Sequence, residues 1–385
     1  MKVFWKSTEV AVIGGGIIGL AIAWRAAQRG LTVILLERNE PGSGTSHVAA
    51  GMLAPASEAD AHQPALVGAN LASSRSYPSF VAELGDVYDG EVGYLRCGTL
   101  LAARDSDEAQ ALERELVLRE GYGLPVRRVL PTEARRLEPG LTPTVRLALE
   151  FSDDHAIDPR RLAAALAAAA VTAGAELCLG AEVVQLDVRQ DRVHGVALDD
   201  GRVIAADHVV IAAGCWSSAI GGIPPEAQVP LRPVKGQILR MRDPAGPGLL
   251  NRVLRMFGGY VVPRGDGRYV LGATMEERGY DTSVTAGAAF ELLRDAIELL
   301  PGLSELVIEE FGAGLRPAAP DNLPAIGPSS LEGLHWAAGH YRHGVLLAPL
   351  TADTVVAGIL GEQPCEEATP LSPHRFQPTT LVTRA

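Results

Sequence analysis

A two-lobed α/β fold, in which a Rossmann-type dinucleotide-binding lobe stands beside an antiparallel β-rich lobe, is predicted by three features. Residues 8–37 read in order as strand, glycine turn, helix, strand and acidic end, the pattern of a nucleotide-binding βαβ unit. The α/β alternation restarts over 151–220 and returns near the C-terminus. Between these stretches, residues 229–285 are dominated by short strands and hairpin turns.

Val10 to Ile13 form the short apolar run of a strand buried on both faces. Gly14, Gly16 and Gly19 follow in G-x-G-x-x-G spacing. Gly14 permits the tight turn, Gly16 lets backbone approach a pyrophosphate, and Gly19 lets the helix pack against the strand. Ile17 to Arg29 read as that helix, whose free N–H groups suit phosphate oxygens. Thr32 to Leu36 form a second apolar run. Glu37 then stands where a carboxylate accepts hydrogen bonds from a ribose hydroxyl. The stretch predicts a dinucleotide without specifying which.

Small residues and hydroxyls dominate from Pro41 to Ala50, ahead of Gly51 and Met52. Such a segment either brings backbone close to a ligand or is a polar loop leading into a helix. Residues 65–90 are expected to be helical, with Leu66, Leu71, Phe80 and Leu84 on one face. Gly98 to Ala103 read as a strand, Asp105 to Glu120 as a charged surface helix, and Pro131 to Leu137 as a short helix capped by Thr132. Asp158-Pro159 is a helix-start signal, and Glu176 to Val188 is strand-like. Asp199-Asp200-Gly201 marks a hairpin turn. His208 to Ala213 read as a buried strand, turning at Gly214 into a helix and giving backbone a second place to meet a nucleotide. Pro233–Met241, Gly259–Pro263 and Tyr269–Thr274 are strands, with a turn at Gly265-Asp266-Gly267. Thr285 to Leu300 form a helix, Glu309 to Leu315 a strand, Trp336 to Gly339 a last strand, and Gly344 to Leu360 a last helix. The dinucleotide-binding lobe would comprise 1–85, 151–220 and 309–376. The substrate lobe would comprise 86–150 and 221–308, and 377–385 would be a tail.

The 385 residues are 47% hydrophobic, enough for a sizeable core, and the net charge of −12 argues against a nucleic-acid partner. Any anionic substrate must be held by a few placed cations. Cys97, Cys178, Cys215 and Cys365 show no metal-ligand spacing, so no metal is expected, and they fit buried thiols in a reducing compartment. No signal peptide is visible, and the apolar stretch Leu162 to Ala173 is too short to span a bilayer. A cytoplasmic protein without membrane contact is predicted.

Gly339-His340-Tyr341-Arg342-His343-Gly344-Val345 sits at a strand-to-helix junction far along the chain from the first glycine loop. A second glycine-flanked helix N-terminus suits another electron-rich part of a long cofactor, which favours FAD over NAD. Together, Val12 to Gly19, Ser46 to Met52, Arg232 to Gln237, Gly272 to Met275, Gly312 to Pro317 and Ala337 to Gly344 resemble the FAD-dependent amine and D-amino-acid oxidase family. Within it they are similar to the glycine oxidases of bacterial thiamine biosynthesis. The resemblance covers roughly residues 8–376.

It implies noncovalent FAD and a small amino-acid or amine substrate, oxidised by hydride transfer from Cα. Dioxygen would then be reduced to peroxide, and the imine hydrolysed or passed to a thiazole synthase. It further implies a homo-oligomer, a tetramer by analogy. Ile17 and Ile18 would lie at the pyrophosphate, Glu37 and Arg38 at the ribose, and Thr45, Ser46, Ala50, Gly51 and Met52 beside phosphates and ring. Val183 would meet the adenine. His340, Tyr341, Arg342, His343, Gly344, Val345 and Leu346 would wrap the ring end. Arg316 matches a carboxylate-binding arginine whose bidentate fork fits a planar acid. Arg342 matches a second arginine facing substrate, Tyr260 a hydroxyl assisting the carboxylate, and Met275 a cavity-lining residue. Each also has a plainer reading: salt bridge, surface contact, core aromatic and core filler. No side chain demands an acid–base role. Gly258 stands where those oxidases carry histidine, which opens space, and Met275 stands where sarcosine oxidases carry lysine. A D-amino-acid or sarcosine-type dehydrogenase using another acceptor, and a non-catalytic flavin-binding sensor, are the competing readings.

Overall fold

The computed structural model of the protein describes residues 6–60 and 62–377. The chain opens with β1 (Lys6–Ile13), α1 (Ile17–Gln28), β2 (Val33–Glu37), α2 (Thr45–Val48), β3 (Met52–Leu53) and α3 (Pro64–Gly85). Next come β4 (Tyr94–Leu95), β5 (Thr99–Ala103), α4 (Ser106–Gly121), β6 (Arg127–Val129), α5 (Pro131–Leu137), β7 (Leu147–Phe151), β8 (His155–Ile157) and α6 (Pro159–Thr172). The middle holds β9 (Glu176–Leu179), β10 (Val183–Arg189), β11 (Arg192–Leu198), β12 (Val203–Ile211), β13 (Arg232–Arg242), β14 (Val253–Met256), β15 (Gly259–Pro263) and β16 (Arg268–Gly272). The chain continues through α7 (Ala286–Leu299), β17 (Val307–Ala318), β18 (Ala325–Pro328), β19 (Leu334–Ala338) and α8 (Ala348–Ile359).

The first eight-stranded sheet is built around a parallel set, β19-β12-β1-β2-β9, flanked by the antiparallel β18 and by the β10–β11 hairpin. Val10, Ala11 and Val12 are fully buried, as strands covered on both faces must be. Helices α1, α3, α6 and α8 cover one face. The β10–β11 hairpin and the segment around Ile220 to Val229 cover the other. α1 is small-residue-rich and buried nearly all round, with α6 and α8 packed against it. Gly19 is obligatory there, because a Cβ would sit 1.9 Å from the Gly14 carbonyl oxygen. Asp158 caps α6 by accepting the Arg160 amide at 3.0 Å.

The second eight-stranded sheet runs β17-β13-β16-β15-β14-β5-β7-β6, antiparallel except for β14 against β5. α7 packs on it through Leu292, Ala296 and Leu299. A three-stranded sheet, β3-β8-β4, joins the Gly51 turn to the start of α6. The expected α/β class is therefore present, with a parallel nucleotide-type sheet and a mainly antiparallel one.

Several local expectations are corrected. β17, grouped by sequence with the nucleotide segments from residue 309, pairs along its length with β13 and belongs to the second sheet. The stretch 176–188 is two strands, interrupted at Gly180, where φ is +62°. Residues 203–211 form one strand, which pairs antiparallel with β11 early and parallel with β1 throughout. β14 escaped notice because it is four residues long. α5 has no side-chain cap; Pro131 starts it, and Thr132 lies inside. Of the four cysteines only Cys215 is buried, and Cys365 is exposed. Among the described residues no helix is long and apolar enough to cross a membrane and no metal-binding cluster occurs. Apart from Gln377, the expected tail lies outside the described residues.

Candidate active site

A cavity of about 790 Å³ lies at the carboxyl ends of β1, β2, β12 and β19, against the face of the second sheet. Open α/β sheets bind ligands at these strand ends. Its lining combines Ile13, Leu36, Ala212 and Ala338 from the first sheet with Gly236, Tyr260 and Arg316 from the second.

At one end stand Glu37, Arg38, Ala181 to Val184 and Trp216. The Glu37 carboxylate accepts the Gly15 amide at 2.6 Å and the Asn39 amide at 2.8 Å, which fixes it at the end of β2. Arg38 stacks over Trp216 at 4.5 Å. Gly214 lines the cavity with φ +57°, but it opens a short 3-10 turn rather than an α-helix.

The glycine turn follows. A Cβ on Gly14 would lie 2.6 Å from the Ala212 carbonyl oxygen. α1 has no cap of its own; the Ser46 hydroxyl, from another segment, accepts the Ile17 amide at 3.1 Å. Thr45 ties the same segment to β17 through the Leu315 carbonyl at 2.6 Å. Among the described residues the Gly16 amide meets no protein acceptor. Ile18, Ala50, Gly51 and Met52 complete this stretch of wall.

A third region is formed by Tyr341, Arg342, Gly344 and Val345. The expected helix from Gly344 does not begin there: residues 344–347 are turns, and α8 starts at Ala348. The α3 hydroxyls of Tyr77 and Ser73 donate to the carbonyls of Val345 and Leu346 at 2.6 and 2.7 Å. Among the described residues the amides of Gly344 and Val345 meet no acceptor. Tyr341 holds φ +49°, unusual for a bulky residue. Four expected cofactor residues do not line the cavity. His343 turns to Asn70 at 3.2 Å, Leu346 enters the core beneath, and Gly339 packs against Leu231. Gly19 acts only through helix packing.

The last region gathers the polar side chains. Arg316 has no carboxylate partner among the described residues; its Nη1 donates to the carbonyls of Thr274 and Lys235 at 3.1 and 3.4 Å. Its guanidinium lies over Gly236, where a Cβ would be 2.3 Å from Nη2. Burial pushes the Tyr260 phenol up, while the Arg316 guanidinium beside it pulls the other way. Tyr260 therefore stays a neutral donor. Arg342 is ion-paired with Glu58, which also lies 3.7 Å from Arg255. Burial alone would raise Glu58, but Arg342 and Arg255 hold its carboxyl down at about 2. Met275, 63% exposed, stands at the rim and accepts the Tyr341 hydroxyl.

The loop carrying Glu58 is pinned from below. Asp154 accepts the amides of Ala56 and Ser57 at 3.1 and 2.7 Å. Arg119 donates to both carbonyls of the same pair at 3.1 Å. Glu58, Arg255, Gly236 and Trp216 were not picked out from sequence. The available signals were a lone charge between Leu254 and Met256, and a glycine within an otherwise side-chain-rich strand.

These features fit FAD. The separate stretches of free amide, the ribose-type carboxylate and the extended cavity match a long cofactor with a pyrophosphate near Gly16 and a polar ring edge near Gly344 and Val345.

Residues 9–357 match the family described as DAO, FAD dependent oxidoreductase. The bifunctional protein ThiO/ThiG of Trichormus variabilis is 36% identical over 97% of this chain and 56% of its own length. The chain thus spans about half of that relative. Glycine oxidase from Geobacillus kaustophilus is 36% identical, covering 89% of this chain and 90% of its own. The crystal structure of glycine oxidase from the same organism superposes with a TM-score of 0.90 at 33% identity, over 97% of this chain and all of that one.

Proposed function

This chain belongs to the DAO family of FAD dependent oxidoreductases, and on that premise we propose that it oxidises a small amino acid at its α-carbon, with glycine as the first substrate to test. The observation that carries the proposal is Arg316: a guanidinium without a carboxylate partner among the described residues, lining the same cavity as the free Gly16 amide.

When bound, FAD supplies the two-electron oxidation and passes the electrons to dioxygen. Glu37, the Gly16 amide and the Ser46 region would hold its ADP half, and the Gly344 and Val345 amides its ring edge. The chain's own part is placement. Arg316 offers its fork to the substrate carboxylate, and Tyr260 adds a hydroxyl donor. Two anchored points fix the rotation of the α-carbon.

Neither acid–base candidate nearby is poised to take a proton at neutral pH. Glu58 is held at about 2 by its arginines. His340 is pushed down to about 3 by burial and engages Thr351 at 2.9 Å. The substrate amine must therefore arrive uncharged or lose its proton to solvent. This supports a hydride-type oxidation, which needs orientation more than a base. The imine product would hydrolyse or pass to a thiazole synthase, a link suggested by the ThiO/ThiG relatives. Self-association into a tetramer is part of the same reading.

The test is anaerobic addition of glycine, sarcosine and D-proline to the holoenzyme, read as bleaching of the flavin band, then admission of dioxygen with peroxide assay. Bleaching with slow reoxidation by dioxygen would instead favour a dehydrogenase with another acceptor. Arg316→Ala should raise KM about 100-fold, the ~3 kcal/mol scale of a charged hydrogen-bonded pair. Flavin affinity should change little; loss of flavin from this variant would make Arg316 structural.

A further inference from the structure

A substrate with one carboxylate needs one guanidinium, yet Arg255, Arg316 and Arg342 all line this cavity. Glu37 and Glu182 stand at the nucleotide end, so Glu58 is the single lining carboxylate near the three arginines. Asp154, which also acts on Arg255, is committed to the Ala56 and Ser57 amides behind the wall. That end of the cavity therefore carries surplus positive charge.

Its donors are also unfilled. Arg316 uses Nη1 on two carbonyls, and Arg342 uses Nη2 on Glu58. Arg255 donates through Nη1 to the Ser57 carbonyl, and its Nε is buried with no hydrogen-bond partner. Arg316, Arg342 and Tyr260 line the same cavity, and both guanidiniums pull the Tyr260 phenol down against its burial. Gly258 and Gly259 line the same cavity and bring no side chain into it.

We infer that Arg342 and Arg255 form a second acid-binding subsite, and that the substrate class this cavity suits best is a small amino acid bearing a second carboxylate. Arg316 and Tyr260 take the carboxylate next to the reacting carbon. Arg342 takes the distal one with its spare N–H groups, and Arg255 supplies the compensating charge behind Glu58. The inference rests on the amino-acid-oxidising reading above and narrows it.

Unreactive acids test it on the holoenzyme. Propionate, butyrate and valerate are titrated beside malonate, succinate and glutarate at constant ionic strength, and Kd is read from the shift of the flavin absorbance. At least one dicarboxylate should bind tenfold or more tightly than the monocarboxylate of equal chain length. Arg342→Gln should reduce that advantage to within twofold, and Arg342→Lys should keep most of it. Glu58→Gln, which removes the competing carboxylate, should strengthen dicarboxylate binding severalfold, a gain that a folding defect cannot imitate. Equal Kd values for the two series overturn the subsite, as does an advantage that survives Arg342→Gln. If monocarboxylates perturb the flavin and glycine bleaches it, that failure leaves the amino-acid reading standing. If no acid perturbs the flavin and no amine bleaches it, the amino-acid reading itself has failed.

Discussion

Arg316 occupies its position because residue 236 has no side chain. A methyl group there would sit 2.3 Å from the guanidinium, too close for either to stay. Gly236→Ala should therefore raise KM for carboxylate substrates about 10- to 100-fold, roughly 1.4–2.8 kcal/mol, and leave flavin Kd within twofold. Steady-state kinetics beside a flavin fluorescence titration separates the two quantities. A second prediction concerns acid. His335 and His340 are each pushed down to about 3 by burial, and Asp154 is pushed up to about 6 by burial. Between pH 6 and pH 4 the unfolded chain holds protons on both histidines that the folded chain refuses. The folded chain gains one at Asp154 that the unfolded chain refuses. On these three groups the unfolded state holds about one more, and Glu58, held at about 2, adds to the difference near pH 4, so stability falls on acidification by at least roughly 1.4 kcal/mol per pH unit. Thermal unfolding should show a lower midpoint at pH 4 than at pH 6, and His335→Gln should flatten the slope. An equal or higher midpoint at pH 4 would contradict this. At this scale the sequence placed Arg316 on the cavity wall through its Gly312–Pro317 motif, and Tyr260 only through its likeness to a family tyrosine. It did not carry Glu58 or Arg255, whose meeting depends on a four-residue strand and a loop pinned from below by Asp154.

Among the elements, the turn at residues 341–347 holds the cavity's polar edge. Among the described residues its Gly344 and Val345 amides meet no acceptor, and α3 holds the turn through Ser73 and Tyr77 on the Leu346 and Val345 carbonyls. Tyr77→Phe combined with Ser73→Ala should weaken flavin binding about 5- to 30-fold, the 1–2 kcal/mol expected of lost buried hydrogen bonds. Substrate KM measured at saturating flavin should move far less. Unchanged flavin affinity in the double variant would mean that the turn holds itself. The glycines around it suggested a helix start at Gly344. The truer signal was Pro349, which fits only the first turn of a helix. The corresponding strands were legible where apolar runs were long, as in β1 and β12. Residues 176–188 misled because Gly180 breaks a run whose composition is continuous.

For the molecule as a whole, the cavity is a joint between two sheets, and its filling should hold them together. Holoenzyme in FAD at 1,000 times Kd should gain about 4 kcal/mol over apoprotein, seen as a rise in Tm that scales with the logarithm of free FAD. A Tm independent of FAD would mean that the sheets are held without it. Fold class was readable from the βαβ opening and the β-rich middle. Allocation of β17 was not, since its partner β13 lies far upstream and only pairing reveals the shared sheet.

The parallel core of the first sheet runs β19-β12-β1-β2, so β12 lies between a strand from the beginning of the chain and one from near its end. That order has a consequence in time. A ribosome releases β1 and the glycine turn early, but the sheet lacks β19, and the cavity lacks Gly344 and Val345, until most of the chain has emerged. Local pairing cannot close the site, so folding must wait on long-range contacts and should be slow. Nascent chains halted before residue 334 should remain open to protease and fail to retain flavin, whereas chains extending past α8 should become resistant as flavin is taken up.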